Sequence, residues 1–90
     1  MVYIVEAKYL KNYEIWIAFS DGSYKVVDLE SDINFDNRTP MKQLKVLEYF
    51  RTFQYDPNVA TIYWDNGVDF DPGYLYKIGK PLHNADDIAS

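Results

Sequence analysis

Tyr13, Ile15, Ile17 and Phe19 occupy alternate positions of a single short run. A period of two in large apolar residues marks a strand with one face on a hydrophobic core. The rest of the chain must therefore supply whatever covers that face. Upstream, Val5, Ala7 and Tyr9 alternate with Glu6 and Lys8, and Lys11-Asn12 forms a short polar link, which is a hairpin pattern. Downstream, Ser20-Asp21-Gly22-Ser23 offers a glycine for positive φ before a β-rich run from Tyr24 to Leu29. A three-stranded antiparallel meander is the economical reading.

The sequence has no cysteine, so disulfides and thiolate metal sites cannot hold this fold together. In a 90-residue chain, roughly 60–65% of the unfolded surface is buried on folding. Apolar packing must therefore carry an expected stability of roughly 5–13 kcal/mol. The supply is ample: 48% of residues are hydrophobic and 18% aromatic, with nine Tyr, five Phe and two Trp, a composition that argues against disorder.

Between Glu30 and Thr39 the chain is polar and reads as a loop, with Ile33 and Phe35 as anchors onto the core. Thr39-Pro40 matches an N-cap followed by proline at the first helical position. One main helix is predicted from there to about Thr52, burying Met41, Leu44 and Leu47 in one stripe and Val46, Phe50 and Phe53 in another. Phe53-Gln54-Tyr55 and Ala60 to Trp64 flank Asp56-Pro57-Asn58, a second hairpin. Asp65-Asn66-Gly67 is a tight turn, and Asp71-Pro72 reads as N-cap plus first position of a short helical turn through Tyr76. The expected fold is α+β: a small, mainly antiparallel sheet made of a meander plus a hairpin, with one main helix and a short C-terminal helical turn. Residues 1–76 form the single domain, and 77–90 read as a polar, mobile tail.

The densest polar cluster runs from Asp65 to Pro72 beside Trp64 and holds Asp65, Asp69 and Asp71. Three carboxylates suit a hard cation. An EF-hand loop would need a bidentate Glu at its twelfth position, however, and the chain has Tyr76 there. The structural alternative is that Asp65-Asn66-Gly67 shapes a turn, Asp71 caps the last helix and Asp69 bonds local amides. Trp64, ending the alternation Ala60, Ile62, Trp64, is then a buried packing residue. Nucleophilic catalysis finds no base, since the only histidine, His83, lies in the polar tail. The four glycines are isolated and make no phosphate-binding loop. No catalytic residue and no cofactor is expected.

Nine basic residues against fourteen acidic ones give a net charge of −5. Direct nucleic-acid binding requires many phosphate contacts, and Arg38 and Arg51 are the only arginines. The tyrosines available for a base-stacking platform, Tyr3, Tyr9, Tyr13 and Tyr24, lack a cationic groove beside them. The N-terminal run is too short and too charged for a secretory signal, and no apolar stretch approaches the ~20 residues that span a bilayer. A cytoplasmic protein is the expectation.

The block Trp64-Asp65-Asn66-Gly67-Val68-Asp69-Phe70-Asp71-Pro72, followed by Leu75-Tyr76, resembles the signature of domain-of-unknown-function family 2442. That small prokaryotic family typically reads tryptophan, proline, asparagine, glycine, alanine, aspartate, leucine, a variable and often acidic position, then proline, ending in leucine-tyrosine. Ala18-Phe19-Ser20-Asp21-Gly22, Val27-Asp28-Leu29, Leu44 and Phe50 also fall where the family places its strands, turn and buried helix. Asp65 departs from the family's usual proline, and Gly73 also departs from the pattern. The resemblance implies an α+β domain with a mainly antiparallel sheet and no established activity. It also implies a toxin-antitoxin association, since members are often encoded near such partners. Some relatives carry a helix-turn-helix domain, and the residues after Tyr76 are too few for one, so the chain is expected to be the partner-binding half.

The leading expectation is thus a regulatory or antitoxin-like protein-interaction module. Its acidic residues gather at Glu30, Asp32 and Asp36 in one loop and at Asp65, Asp69 and Asp71 in another. If the fold joins those loops, they make a negative face suited to a small basic protein, with Glu30, Asp32, Asp36 and Asp69 as contact candidates. Trp64, Asn66, Gly67, Asp71, Pro72 and Tyr76 are the structural members of the motif. Two alternatives stand beside it: a divalent-metal domain or metal-dependent enzyme using Asp65, Asp69 and Asp71, and a structural homodimer built through an edge strand.

Overall fold

The computed structural model describes residues 1–82. Three consecutive antiparallel strands come first: β1 (Ile4–Lys11), β2 (Glu14–Phe19) and β3 (Tyr24–Asp28). Asn12, with φ 47°, turns β1 into β2, and Gly22, with φ 89°, turns β2 into β3. Both angles lie in the left-handed region that Asn and Gly tolerate best. Asp21 completes the second turn by accepting from the Ser23 amide at 2.9 Å and its hydroxyl at 2.6 Å. The expected meander is present.

Ile15 pairs with Val27 and Tyr9, and Ile17 pairs with Ala7 and Lys25. That register puts Ile15, Ile17 and Phe19 on the face where they are fully buried with Val27, Leu29, Ile33, Leu44, Phe50, Ile62, Trp64 and Leu75. Trp16 and Ala18 point to the opposite face, yet they too are buried. Trp16 stacks on Tyr24 with ring centroids 5.6 Å apart, and the Lys8 ammonium lies 5.4 Å from its ring.

Several expectations are corrected. The segment after β3 is not a loop: α1 (Glu30–Phe35) begins there. Ile33 anchors it in the core, but Phe35 is 90% exposed. Residues two apart share a face in an extended chain but lie about 200° apart around a helix, so α1 buries one and exposes the other. The single helix from Thr39 to Thr52 is broken into α2 (Thr39–Gln43) and α3 (Leu47–Phe50). Between them Val46 is extended, at φ −78° and ψ 111°, and only Leu44 and Phe50 of the two anticipated stripes are fully buried. Short i to i+3 bonds such as Val46 N–H to the Gln43 carbonyl tighten the break. Thr39 is the first helical residue and not the cap, which is Arg38 without a side-chain bond.

β4 (Gln54–Asp56) and β5 (Thr61–Tyr63) then form the second hairpin as a separate two-stranded sheet. The boundary expected after Tyr76 falls inside α4 (Pro72–Ile78), which leads into β6 (Lys80–Leu82) antiparallel to β3. The main sheet therefore has the order β1-β2-β3-β6. Three residues including Pro81 carry little strand signal, but proline is accepted on an edge strand, where its missing N–H needs no partner. Gly79 makes the join possible, because a Cβ there would sit 2.9 Å from Lys25 Cβ. His83 and the rest of the expected tail lie outside the described residues. Among the described residues no helix is long and apolar enough to cross a membrane. The family-like fold class, mainly antiparallel sheet plus helices, stands.

Trp64 is 1% exposed, and its indole N–H donates to the Phe50 carbonyl at 2.9 Å. Phe50, Phe53 and Phe70 surround the ring at centroid distances of 5.6, 6.2 and 5.9 Å. Trp64→Ala should lower stability by about 3–5 kcal/mol, since it removes a packed ring and strands a carbonyl. Urea unfolding followed by far-UV circular dichroism measures this, and a loss under about 1 kcal/mol would contradict the packing role.

Candidate functional site: an acidic groove

The Asp65-Asn66-Gly67 turn is held at both ends. Trp64 N–H donates to the Val68 carbonyl at 2.8 Å, Asn66 Oδ1 accepts from the Val68 amide at 3.1 Å, and Gly67 takes φ 94°. The same Asn66 donates through Nδ2 to the Pro40 carbonyl at 3.0 Å and to Gln43 Oε1 at 2.6 Å. This brings the residues after the turn against α2 and the end of α1. Thr61 fixes the next stretch, donating its hydroxyl to the Phe70 carbonyl at 2.6 Å.

The result is a groove of about 580 Å³. Its walls are Asp32, Phe35, Asp36 and Arg38 on one side and Asp69, Phe70, Asp71 and Tyr74 on the other, with Met41 between them. A neighbouring recess of about 280 Å³ shares Arg38, Met41 and Asp69. The two acidic stretches are thus brought together in part. Asp32, Asp36, Asp69 and Asp71 line the groove, whereas Glu30 and Asp65 do not.

Asp32, Asp36 and Asp71 each have an identifiable restraint, whereas among the described residues Asp69 makes no side-chain bond to the local amides expected of it. Asp71 Oδ2 accepts from the Tyr74 amide at 3.1 Å, the N-cap bond expected of it, with Pro72 beginning α4. The Tyr74 hydroxyl reaches across to donate to Asp32, which raises the phenol's pKa above its ordinary value. Asp36 accepts from the Arg38 guanidinium, 3.0 Å from Nε and 2.6 Å from Nη2, and from the Arg38 amide at 2.9 Å. Those bonds favour the charged carboxylate and hold Asp36 at about 2. Asp65 turns away and accepts from the Tyr49 hydroxyl, whose pKa is raised in consequence.

A cation bound by Asp65, Asp69 and Asp71 would need those carboxylates to converge. Asp65 is committed to Tyr49 and Asp71 to its cap, and among the described residues no three His, Cys, Asp or Glu side chains are placed to hold a metal. Tyr76, the motif's last residue, has a structural use: its hydroxyl donates to Asp21 Oδ2 at 2.7 Å and its ring packs 5.1 Å from that of Phe19. Of the four tyrosines considered as a stacking platform, Tyr9 and Tyr13 pack edge-on against Phe50 and Tyr24 stacks on Trp16. Phe35, Arg38, Met41 and Tyr74 were missed as site residues. Only a helical reading of Glu30 to Phe35, with Ile33 inside, would have turned Phe35 outward.

Residues 4–81 match the family described as Protein of unknown function (DUF2442). The chain belongs to this family. No curated protein and no solved structure matches it. The DUF2442 match runs from β1 into β6, so it includes both walls of the groove and the C-terminal strand.

Replacing Asp71 with Ala should cost about 1 kcal/mol, the usual value of an N-cap carboxylate, read as a lower denaturant midpoint. The Asp36 carboxyl should titrate near 2 by carbon-detected NMR. Its folded pKa lies below the unfolded value, so its favourable contribution is present above the ordinary carboxylate range and is lost as pH falls through the folded value. In Arg38→Gln the midpoint should move up toward that ordinary range. An unmoved midpoint would show that Arg38 is not the cause.

Proposed function

We propose that this chain is a protein-interaction module whose acidic groove receives a basic segment of a protein partner. The observation that carries this reading is Phe35, which is 90% exposed on the wall of a groove holding four aspartates and one arginine. A phenylalanine left in water while Ile33, two residues earlier, is fully buried contributes nothing to the core. Beside carboxylates, it suits a partner that presents an apolar patch flanked by Lys or Arg.

The charges add direction. Arg38 is spent on Asp36, so the groove keeps a net negative potential. Such a potential steers a basic partner into encounter and is screened beyond a Debye length of about 8 Å at physiological salt. Asp32, Asp36 and Asp71 are each held by a separate donor, which favours recognition over acid–base or metal-assisted catalysis. A regulatory or antitoxin-like role in the cytoplasm is the setting proposed for such a module.

The test uses a synthetic peptide of alternating lysine and leucine as the probe, with Phe35→Ala and Asp69→Asn as variants. Both positions are exposed, so melting temperatures should be nearly unchanged. Phe35→Ala should weaken binding by about 2 kcal/mol, roughly thirtyfold in Kd. Asp69→Asn should mainly slow association, and high salt should erase that difference. Binding indifferent to Phe35, Asp69 and salt would exclude the groove as the site.

A further inference from the structure

The open edge of β1 points to a second use of the fold, independent of the groove. We propose that β1 is a self-complementary edge at which a second copy of this chain adds antiparallel about Ala7, joining two sheets into one of eight strands in a symmetric dimer.

The direction of the free backbone groups follows from the ladder. Leu29 N–H donates to the Tyr13 carbonyl and Phe19 N–H to the Ser23 carbonyl, both at 2.9 Å. The odd-numbered residues of β2 therefore bond toward β3. In an antiparallel ladder each residue's N–H and C=O point to the same side and alternate along the strand. Trp16 and Ala18 thus face β1, where they are in register with Lys8 and Glu6. Lys8 and Glu6 bond inward, and the amides of Ala7 and Tyr9 point out from the edge. Among the described residues no other element hydrogen-bonds to those outward groups. The neighbouring hairpin satisfies only the Ile4 end, where Ile4 N–H donates to the Ala60 carbonyl at 3.1 Å and the Tyr55 hydroxyl donates to the Ile4 carbonyl at 2.8 Å.

The side chains select the occupant. An exposed edge lysine ordinarily repels another strand, and Lys8 would do so against a copy of itself. With Ala7 opposite the partner's Ala7, however, Glu6 lies opposite the partner's Lys8, and Lys8 opposite the partner's Glu6. Val5, 46% exposed, then meets the partner's Tyr9, a β-branched and aromatic pair of the kind that stabilises sheets. Glu6 and Lys8 already lie on one face of the strand, 3.3 Å apart within the chain. The dimer surrounds each charge with opposite charges along and across the strands. Register shifts at Ile4/Glu6 and Tyr9/Lys11 confine regular pairing to this short stretch, which fixes a single register.

Sedimentation equilibrium of the full chain at low salt, up to about 1 mM, tests the proposal. The wild type should show a monomer–dimer equilibrium. Glu6→Lys and Lys8→Glu should each raise the dimer Kd at least about tenfold, because each places like charges opposite one another. The double variant should return to within about threefold of wild type. An equimolar mixture of the two single variants should form a heterodimer, since every charge on one strand then faces one of opposite sign on the other. Melting curves confirm that the exposed substitutions leave the fold intact. A wild type that stays monomeric, a dimer indifferent to both single variants, or a double variant as weak as either single one would each overturn the proposal. Phe35→Ala, which lies in the groove, should leave the dimer Kd unchanged, so the two readings fail separately.

Discussion

The Trp64 indole is the point on which the groove depends. Its ring fills the space between Phe50, Phe53 and Phe70, while its N–H reaches the carbonyl of Phe50 at the end of α3. The tryptophan backbone simultaneously closes the turn that follows, by bonding to Val68. One residue thus fixes α3, β5 and the turn relative to each other, and Asn66 extends that fixation to α2 through Pro40 and Gln43. Asp69 faces Arg38 and Met41 across the groove because of this sequence of contacts. In a chain without disulfides, a large aromatic with a satisfied polar tip is an economical way to lock several short elements together.

Neutral donors do much of the electrostatic work. The described residues include only two salt bridges, Lys8–Glu6 and Arg38–Asp36, as the excess of acid over base would suggest. Three tyrosines instead each hold an aspartate: Tyr49 with Asp65, Tyr74 with Asp32 and Tyr76 with Asp21. Ser23 hydroxyl and amide bonds, together with Tyr76, hold Asp21 at about 2. A phenol positions a carboxylate without cancelling its charge. Tyr74 therefore orients Asp32 in the groove wall and leaves the wall negative, which a lysine in the same place would not.

Alternation made the meander and the second hairpin legible, because side-chain period and buried face coincide in a strand. Asp71-Pro72 was equally readable, since N-cap chemistry and proline's fixed φ act locally. Three other features depend on information that local patterns lack. Ile33 and Phe35 fit either a shared extended face or opposite helical faces, and only the tertiary need to bury Ile33 decides. The helical pattern from Thr39 to Thr52 continues through Val46, but the chain bends there so that Leu44 and Phe50 both enter the core. β6 is a short segment whose pairing with β3 is set by the approach of Gly79 to Lys25. The acidic stretches were visible as sequence, but their meeting was not: Asp69 and Asp71 joined Asp32 and Asp36, while Asp65 was drawn off by Tyr49, a partner sixteen residues distant.

In the proposed reading, stability and recognition rest on different side chains. Ile33, Leu44, Phe50 and Trp64 are buried and decide whether the chain folds. Phe35 and Asp69 are exposed, and neither makes a contact that the core requires. A small domain has little stability to spare, so a functional surface is best built from residues whose replacement leaves the packing untouched. Asp71 and Tyr74 are the intermediate cases: one caps α4 and the other clamps Asp32, so both link the fold to the groove wall. Under the proposed function, a change in Phe35 or Asp69 would therefore report on recognition alone, whereas a change in Asp71 or Tyr74 would mix recognition with local order. The arrangement lets the groove's chemistry vary while the sheet and the Trp64 lock stay fixed.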